Sequence, residues 1–183
     1  METAKAYAMK AIENEAWLGD HEVRLIGLAF TYRISSWFTE AFRTLVRRRA
    51  SNYTLAESET VGLRTMMALL KTQDTMEQHW KLLAYFPPPI QHTRHCVGLN
   101  RNGCKRAYED LWWKHIARAL LDPVAPASCW SVPSAMEGIS TVGMGDGCLE
   151  KTRMWLSGHP VLKMEEKIVE GSIQQLVLTA NLD

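Results

Sequence analysis

The sequence predicts an all-α protein made of helical hairpins in two packed subdomains that are joined by a proline-rich hinge. Apolar residues recur every three or four positions, which is the helical period. Asn102-Gly103 comes closest to a hairpin turn, but a helical pattern rather than a strand follows it. Residues 86–90 contain three consecutive prolines, which remove backbone donors and favour extended geometry. We therefore expect subdomains at residues 1–86 and 87–183.

Three helices are expected in residues 3–46. The first covers about residues 3–14, and Asp20 is a suitable N-cap for the second, at about residues 23–32. Ser35 or Ser36 is predicted to cap the third. The apolar residues of this third helix recur with a spacing that forms one buried face: Trp37, Phe38, Ala41, Phe42, Leu45 and Val46.

A capping box opens the next predicted helix. The Thr54 hydroxyl can accept from the Glu57 amide while the Glu57 carboxylate accepts from the Thr54 amide. We expect one helix to follow and to carry apolar residues from Val61 to Leu70. Further along, residues 92–103 are predicted to be irregular, residues 105–121 helical, and residues 124–147 a long loop. Short and long helices are expected at about residues 146–156 and 164–178.

Composition narrows the class of protein. The chain has 183 residues, 46% of them apolar, and a formal net charge of +1. Proteins that bind nucleic acid by phosphate neutralisation usually show a basic excess, so nucleic acid is disfavoured as a partner. Neither a secretory signal nor a stretch of roughly 20 apolar residues is present in the sequence. Four cysteines in a chain of this length do not indicate a disulfide framework. We therefore expect a cytoplasmic or nuclear protein with no membrane partner.

One group of residues has the side-chain types of a metal site. A structural zinc ion requires four thiolate or imidazole ligands in tetrahedral arrangement. The spacing His92-x2-His95-Cys96-x7-Cys104 brings four such side chains close in sequence, and Cys148 or Cys129 would join them from a distant part of the chain. If a metal is bound, we expect the ligands to be Cys96, Cys104 and Cys148 with His92 or His95. The alternative is that Cys104 and Cys148 are small buried apolar residues and that His92 and His95 are exposed on a loop, because the sequence contains no C-x2-C pair. We therefore predict no cofactor, with structural zinc as the alternative.

Other motifs give little support for an enzyme. His95 and Cys96 are adjacent, which does not align the ring with the sulfur, and no known cysteine-enzyme signature surrounds them. Residues 143–147, GMGDG, lack the features of a phosphate loop and better suit a turn before a helix. His115 is predicted to be a hydrogen-bonded core residue. We predict that the protein is not an enzyme.

Two successive patterns in the first half carry a family resemblance. Leu28, Ala29 and Tyr32 form an L-A-x-x-Y pattern. The pattern that follows it comprises Trp37, Phe38, Ala41, Phe42, Leu45, Leu55, Glu57, Glu59, Val61, Gly62 and Leu63. This order and spacing resembles the BACK-like helical region that follows the BTB/POZ core in a fungal family of BTB-domain proteins. The second half is similar at Cys104, Trp112, Trp113, Cys148 and residues 165–169.

The resemblance implies a protein-binding adaptor or scaffold, and some BTB proteins recruit partners to cullin-type ubiquitin ligases. The strand-rich BTB core is absent, so Met1 is expected to lie inside the family's domain. Helices that pack on that core would then expose an apolar face, which we expect at Tyr7, Ala11, Leu25 and Leu28. This face is predicted to drive self-association or to bind a partner helix. The alternative function is a zinc-stabilised domain that binds nucleic acid or regulates transcription.

The pair Trp112-Trp113 adds one more candidate contact residue. Consecutive residues lie about 100° apart around a helix, so the two indole rings cannot both face one core. One of the two is therefore expected at a seam between the subdomains or on an exposed contact patch, and we predict that Trp113 is this contact residue. The basic run of residues 47–49 has a less specific interpretation. A solvated helix end is favoured, and contact with a phosphate or a partner is the alternative.

Overall fold

All regular elements in the described part of the chain are helical, which confirms the predicted all-α class. The computed structural model describes residues 21–96, 99–139, 142–145 and 147–182, and no strand occurs among them. The α-helices are α1 His21–Tyr32, α2 Ser35–Leu45, α3 Leu55–Val61, α4 Leu63–Tyr85, α5 Leu99–Leu111, α6 Arg118–Leu120, α7 Val132–Ala135, α8 Cys148–Ser157 and α9 Met164–Ala180. A π-helical segment, Trp112–Ala117, joins α5 to α6. Short 3-10 turns lie at Ala50–Asn52, Cys129–Ser131 and Pro160–Lys163. The predicted helix at residues 3–14 lies outside the described residues, and so does Asp20, the predicted N-cap of the second helix.

The chain divides into two compact units at positions that the sequence did not indicate. In the described chain, unit 1 comprises residues 21–73 and 169–182, and unit 2 comprises residues 74–168. Both divisions fall inside helices, α4 and α9, so the hinge predicted at the prolines is not shown. The residues after the prolines belong to unit 2 because Ile90 packs against its core and the Gln91 amide donates to Thr152 Oγ1 at 2.9 Å.

In unit 1, the core lies where α1 and α2 form a hairpin. Ile26, Ala29, Phe38, Ala41 and Phe42 are completely buried there, as expected for the apolar faces of two packed helices. The third predicted helix is therefore confirmed, although its predicted cap is wrong. The residue that precedes α2 is Ile34, without a side-chain cap, and Ser35 is already helical.

The turn between these helices is closed by the backbone rather than by a serine side chain. Arg33 adopts a left-handed conformation with φ of 54°, and the Ile34 amide donates to the Ala29 carbonyl at 3.0 Å. A left-handed residue after a helix satisfies carbonyl groups that the helix leaves free. This geometry lets α2 begin at once, so no separate capping residue is required.

The predicted capping box at the start of α3 is confirmed. The Glu57 amide donates to Thr54 Oγ1 at 3.2 Å, and the Thr54 amide donates to Glu57 Oε2 at 2.7 Å. Arg48 also pairs with Glu57 at 2.6 Å. The hydrogen bond from the Thr54 amide and the pairing with Arg48 lower the pKa of Glu57 to about 2. A charged Glu57 therefore bonds both to Arg48, which follows α2, and to Thr54 at the start of α3.

The prediction of one continuous helix from residue 55 to residue 70 is wrong. Gly62 has φ of 80° and ψ of 148°, and it separates α3 from α4. This conformation is accessible mainly to glycine, because a Cβ atom clashes with the backbone there. The apolar period runs across Gly62 without a break, so the sequence pattern did not reveal the separation. Unit 1 also contains the end of α9, where Arg43 pairs with Glu170 and Thr72 Oγ1 donates to Ser172 Oγ at 2.7 Å.

The core of unit 2 is centred on one face of α5 and the segment that follows it. Tyr108, Trp112 and Ile116 are 1% exposed, and the Trp112 indole donates to the Ala84 carbonyl at 3.3 Å. The helix begins at Leu99, so residues 99–103, which were predicted to be irregular, are helical. His115 is exposed, which corrects its predicted place in the core. The wide π-helical turn changes which residues of the segment face the core, so that Ala117 is buried and His115 is not.

A buried carboxylate organises the segment that was predicted to be a long loop. Glu165, 4% exposed, accepts hydrogen bonds from the Trp80 indole at 3.2 Å and from the Cys129 amide at 3.0 Å. The Ser128 hydroxyl lies 2.8 Å from both of its carboxylate oxygens. These bonds explain why a Pro- and Ser-rich segment forms the turn at Cys129–Ser131 and helix α7 rather than an unstructured loop.

Candidate metal centre

Three separate parts of unit 2 bring four metal-binding side chains together. The segment before α5 supplies His92 and Cys96, the first half of α5 supplies Cys104, and the first residue of α8 is Cys148. One ligand atom from each residue lies within 4.8 Å of all the others. His92 Nδ1 is 3.3 Å from Cys96 Sγ and 4.0 Å from Cys148 Sγ. All four cysteines of the chain are free thiols, so no disulfide competes for these sulfur atoms.

The separation of the ligand atoms suits a tetrahedral ion. Zinc–sulfur bonds of about 2.3 Å and zinc–nitrogen bonds of about 2.0–2.1 Å place neighbouring ligand atoms roughly 3.5–3.8 Å apart in a tetrahedron. The two distances from His92 Nδ1 lie on either side of this value. The three cysteines are at most 2% exposed and His92 is half-buried, so the sulfur ligands are already shielded from solvent. The group could hold a metal ion with only small side-chain adjustments.

Backbone amides are directed at the sulfur atoms. The Thr93 amide donates to Cys148 Sγ at 3.3 Å, and the Gly145 amide donates to Cys104 Sγ at 3.3 Å. Burial acts to raise the pKa of Cys148, but the hydrogen bonds from Thr93 outweigh it and lower that pKa. At Cys96, burial and the neighbouring sulfur atoms raise the pKa of the thiol to about 11. Amide donors of this kind orient and stabilise the thiolates of a metal centre.

Gly145 approaches the cluster so closely that a larger residue would fit only if a cysteine side chain shifted by a few tenths of an ångström. A Cβ atom at this position would lie 3.0 Å from Cys96 Sγ and 3.4 Å from Cys148 Sγ. The glycine-rich segment was predicted to be a turn before a helix, and α8 does follow it. Its role beside the sulfur atoms was missed, although the short distance in sequence from Gly145 to Cys148 was a usable signal. Thr93 was missed as well, and its type and position gave no such signal.

Of the two histidines considered, the structure brings only His92 into the cluster. His95 lies exposed in the turn between His92 and Cys96. Lys151 Nζ donates to the His92 carbonyl at 2.9 Å, and Arg101 Nε donates to the Cys96 carbonyl at 2.9 Å. Burial, assisted by these two cations, lowers the pKa of His92. The imidazole is therefore favoured in its neutral form, which is the form that binds metals.

Cys129, the alternative fourth ligand, belongs to a different environment. It is completely buried in the apolar core of unit 2, beside Glu165. Burial, together with the charge of Glu165, raises the pKa of its thiol to about 12. Cys129 is therefore a small buried residue outside the cluster, whereas Cys104 and Cys148, to which the alternative hypothesis gave that role, lie in the cluster.

The predicted partner-binding residues have mixed outcomes. Leu25 is 3% exposed, so it cannot belong to an exposed apolar face. Leu28 is half-buried, and Tyr7 and Ala11 lie outside the described residues. Trp113 is 46% exposed, and its ring centroid lies 5.9 Å from that of Tyr85.

Comparisons with known proteins do not identify the chain. No family model matches it, and no match is found among the curated proteins or the solved structures. The resemblance to BTB-domain proteins therefore stays a prediction. Within the part of the chain that the structure describes, no helix is both long and apolar enough to cross a membrane.

Proposed function

We propose that this protein binds one zinc ion through His92, Cys96, Cys104 and Cys148, and that the ion stabilises the fold of unit 2. One observation carries the proposal: four ligand atoms from three parts of the chain lie within 4.8 Å of one another. Three thiolates and one imidazole are a ligand set of structural zinc sites. Sulfur ligands also favour zinc over magnesium or calcium, which prefer oxygen.

Four protein ligands support a structural rather than a catalytic role. A catalytic zinc ion keeps one coordination position open for water or substrate, whereas structural sites are closed. The cysteines of this cluster are at most 2% exposed, so a substrate could not reach the metal directly. A cysteine nucleophile is also disfavoured, because such a residue requires a lowered thiol pKa and access to solvent. The pKa of Cys96 is raised, and Cys148, whose pKa is lowered, is completely buried.

The first test uses the two neighbouring histidines as a matched pair. Purified protein is expected to contain one zinc per chain by elemental analysis. Replacement His92→Ala should weaken zinc binding at least about 100-fold, since even the loss of groups that support the ligands costs 10–100-fold. The control His95→Ala removes an exposed imidazole three residues away and should leave affinity within about 3-fold of the wild type. A metal-free wild type, or equal effects of the two replacements, would contradict the proposal.

A second function, protein binding, is supported by a separate surface of unit 2. Leu82, Tyr85 and Phe86 at the end of α4 are 59%, 61% and 73% exposed, and the Tyr85 ring contacts that of Trp113. We call these four residues the aromatic surface. Exposed aromatic side chains are enriched at protein interfaces. The adaptor role implied by the BTB resemblance, in the cytoplasm or the nucleus, would require such a surface.

A second copy of this chain is the partner that we propose for the aromatic surface. A two-fold contact uses the same residues on both copies, so one apolar surface is sufficient. A formal net charge of +1 per chain adds little repulsion between copies.

Sedimentation equilibrium tests this self-association. Replacement Trp113→Lys should raise the dimer dissociation constant about 30-fold, the effect expected for loss of a central aromatic contact. The control Met154→Lys introduces the same charge at another exposed apolar residue, 65% exposed on α8, and should have little effect. A wild-type protein that stays monomeric at high concentration would exclude the second copy as the partner.

A further inference from the structure

Positive charge is concentrated beside the metal ligands, although the whole chain is nearly neutral. Residues 90–108 contain four lysine or arginine residues, two histidines, and neither aspartate nor glutamate. The complete chain has 21 basic and 20 acidic residues, so its net charge conceals this separation. The expectation that nucleic acid is an unlikely partner depended on that net charge. Locally, this segment is strongly basic.

The metal cluster gathers these cations on one part of unit 2. Arg94 lies between the ligands His92 and Cys96, and Lys105 and Arg106 directly follow the ligand Cys104. Two further cations, Lys151 and Arg101, donate hydrogen bonds to the backbone carbonyls of the ligands His92 and Cys96. We define the basic surface by five exposed residues: Arg94, Arg101, Lys105, Arg106 and Lys151.

Little of this charge is neutralised within the described chain. Of the five residues, only Lys105 has an acidic partner there, Glu109, at 3.7 Å on the exposed side of α5. Arg101 and Lys151 donate to backbone carbonyl oxygens. Because these oxygens belong to uncharged groups, they do not neutralise the two positive charges. Glu150 on α8, next to Lys151 in sequence, is paired with Arg153. A zinc ion with three thiolates and a neutral imidazole would add only one negative charge, which the five cations outweigh.

The chemistry of the basic surface indicates a phosphate-rich partner. Three of its five cations are arginines, whose planar guanidinium groups bind phosphate in a bidentate manner. Among the described residues with assigned burial from 91 to 106, none of the exposed side chains is apolar. Protein interfaces usually have an apolar or aromatic centre, and membrane-surface elements insert an apolar face. Contacts between cations and backbone phosphates, by contrast, require neither.

We propose that the basic surface binds the phosphate backbone of nucleic acid without strong sequence preference. The inference rests on the proposed zinc site, because the ion would hold the segments that carry these cations in place. Zinc-loaded protein should bind a fluorescein-labelled 20-nucleotide oligodeoxythymidine in fluorescence anisotropy at low salt. With five phosphate contacts, the slope of log K against log salt concentration should be about −3.5.

Two charge-reversal variants distinguish binding by the basic surface from a general effect of the net charge of the protein. The variant Arg94→Glu/Arg106→Glu reverses two exposed residues that are not metal ligands, and should weaken binding at least about 10-fold. The control Arg24→Glu/Arg64→Glu makes the same change in net charge on exposed residues of unit 1, and should weaken binding less than about 3-fold. Equal losses in the two variants would overturn the proposal. Tighter binding to phosphatidylserine vesicles or to polyglutamate than to the oligonucleotide would also overturn it.

Zinc content is measured on every sample. It distinguishes failure of the nucleic-acid proposal from failure of the proposed zinc site. Protein that holds one zinc and does not bind the oligonucleotide refutes only the basic surface. Protein without zinc refutes the proposed function, whatever its affinity for the oligonucleotide. Loss of binding in the Arg94→Glu/Arg106→Glu variant with its zinc retained supports both proposals together.

Discussion

Replacement Cys104→Ala is expected to lower the melting temperature of unit 2 strongly and to remove its dependence on zinc. Structural zinc ions contribute about 10–16 kcal/mol of binding free energy in small zinc domains. This is comparable to the whole stability of a typical domain, about 5–15 kcal/mol. Without the ion, the three segments that supply the ligands would keep only their apolar contacts and hydrogen bonds. The variant should therefore melt at a temperature that no longer depends on added zinc, in thermal unfolding followed by circular dichroism.

Cys129→Ala provides the matched control for this prediction. It also removes a buried thiol from unit 2, but from a residue outside the cluster. We expect it to cost about 1 kcal/mol, as the loss of a small buried group does, and to keep the dependence on zinc. A chelator should lower the melting temperature of the wild type and of Cys129→Ala. If the chelator leaves the wild type unchanged, the ion does not stabilise unit 2.

Replacement of Phe42 by alanine should lower the free energy of unfolding by about 3–5 kcal/mol, and Trp37→Ala should have a similar effect. Phe42 is completely buried and Trp37 is 3% exposed. The Phe42 ring also lies 5.7 Å from that of Phe38, so its removal leaves a cavity among aromatic side chains. Denaturant melts monitored by helical circular dichroism measure this loss.

Tyr32→Ala is the control for these core replacements. Its ring lies 6.5 Å from that of Trp37, but 56% of the residue is exposed, so we expect a cost below about 1 kcal/mol. An equally small loss for Phe42→Ala would mean that this aromatic face is not the core of unit 1.

The helices of unit 1 were largely predictable because their signals are local. The apolar face of α2 follows the helical period, and the capping box of Thr54 and Glu57 requires only residues three positions apart. The break at Gly62 was not predictable in this way. Glycine occurs within helices as well as at their ends, and only the backbone angles distinguish the two cases.

In unit 2, the departures from prediction arise where distant residues decide the local structure. The loop before α8 is ordered by hydrogen bonds to Glu165, which lies more than thirty residues further along the chain. The exposure of His115 follows from a π-helical turn, which has no reliable signature in the apolar pattern. Of the two consecutive tryptophans, Trp112 is buried and Trp113 is 46% exposed, which agrees with the 100° angle between consecutive helical residues, and the role of Trp113 in a contact stays a prediction.

The sequence by itself determined which residue types could bind a metal, since imidazole and thiol groups are recognisable without coordinates. It left open whether His92 or His95, and Cys148 or Cys129, would complete the set. Only the tertiary structure decided this, because ligation depends on where side-chain atoms converge in space. The turn after His92 leaves His95 exposed, and the close approach of Gly145 allows the first residue of α8 to reach the cluster. These distances depend on packing between segments far apart in the chain, which local spacing does not encode.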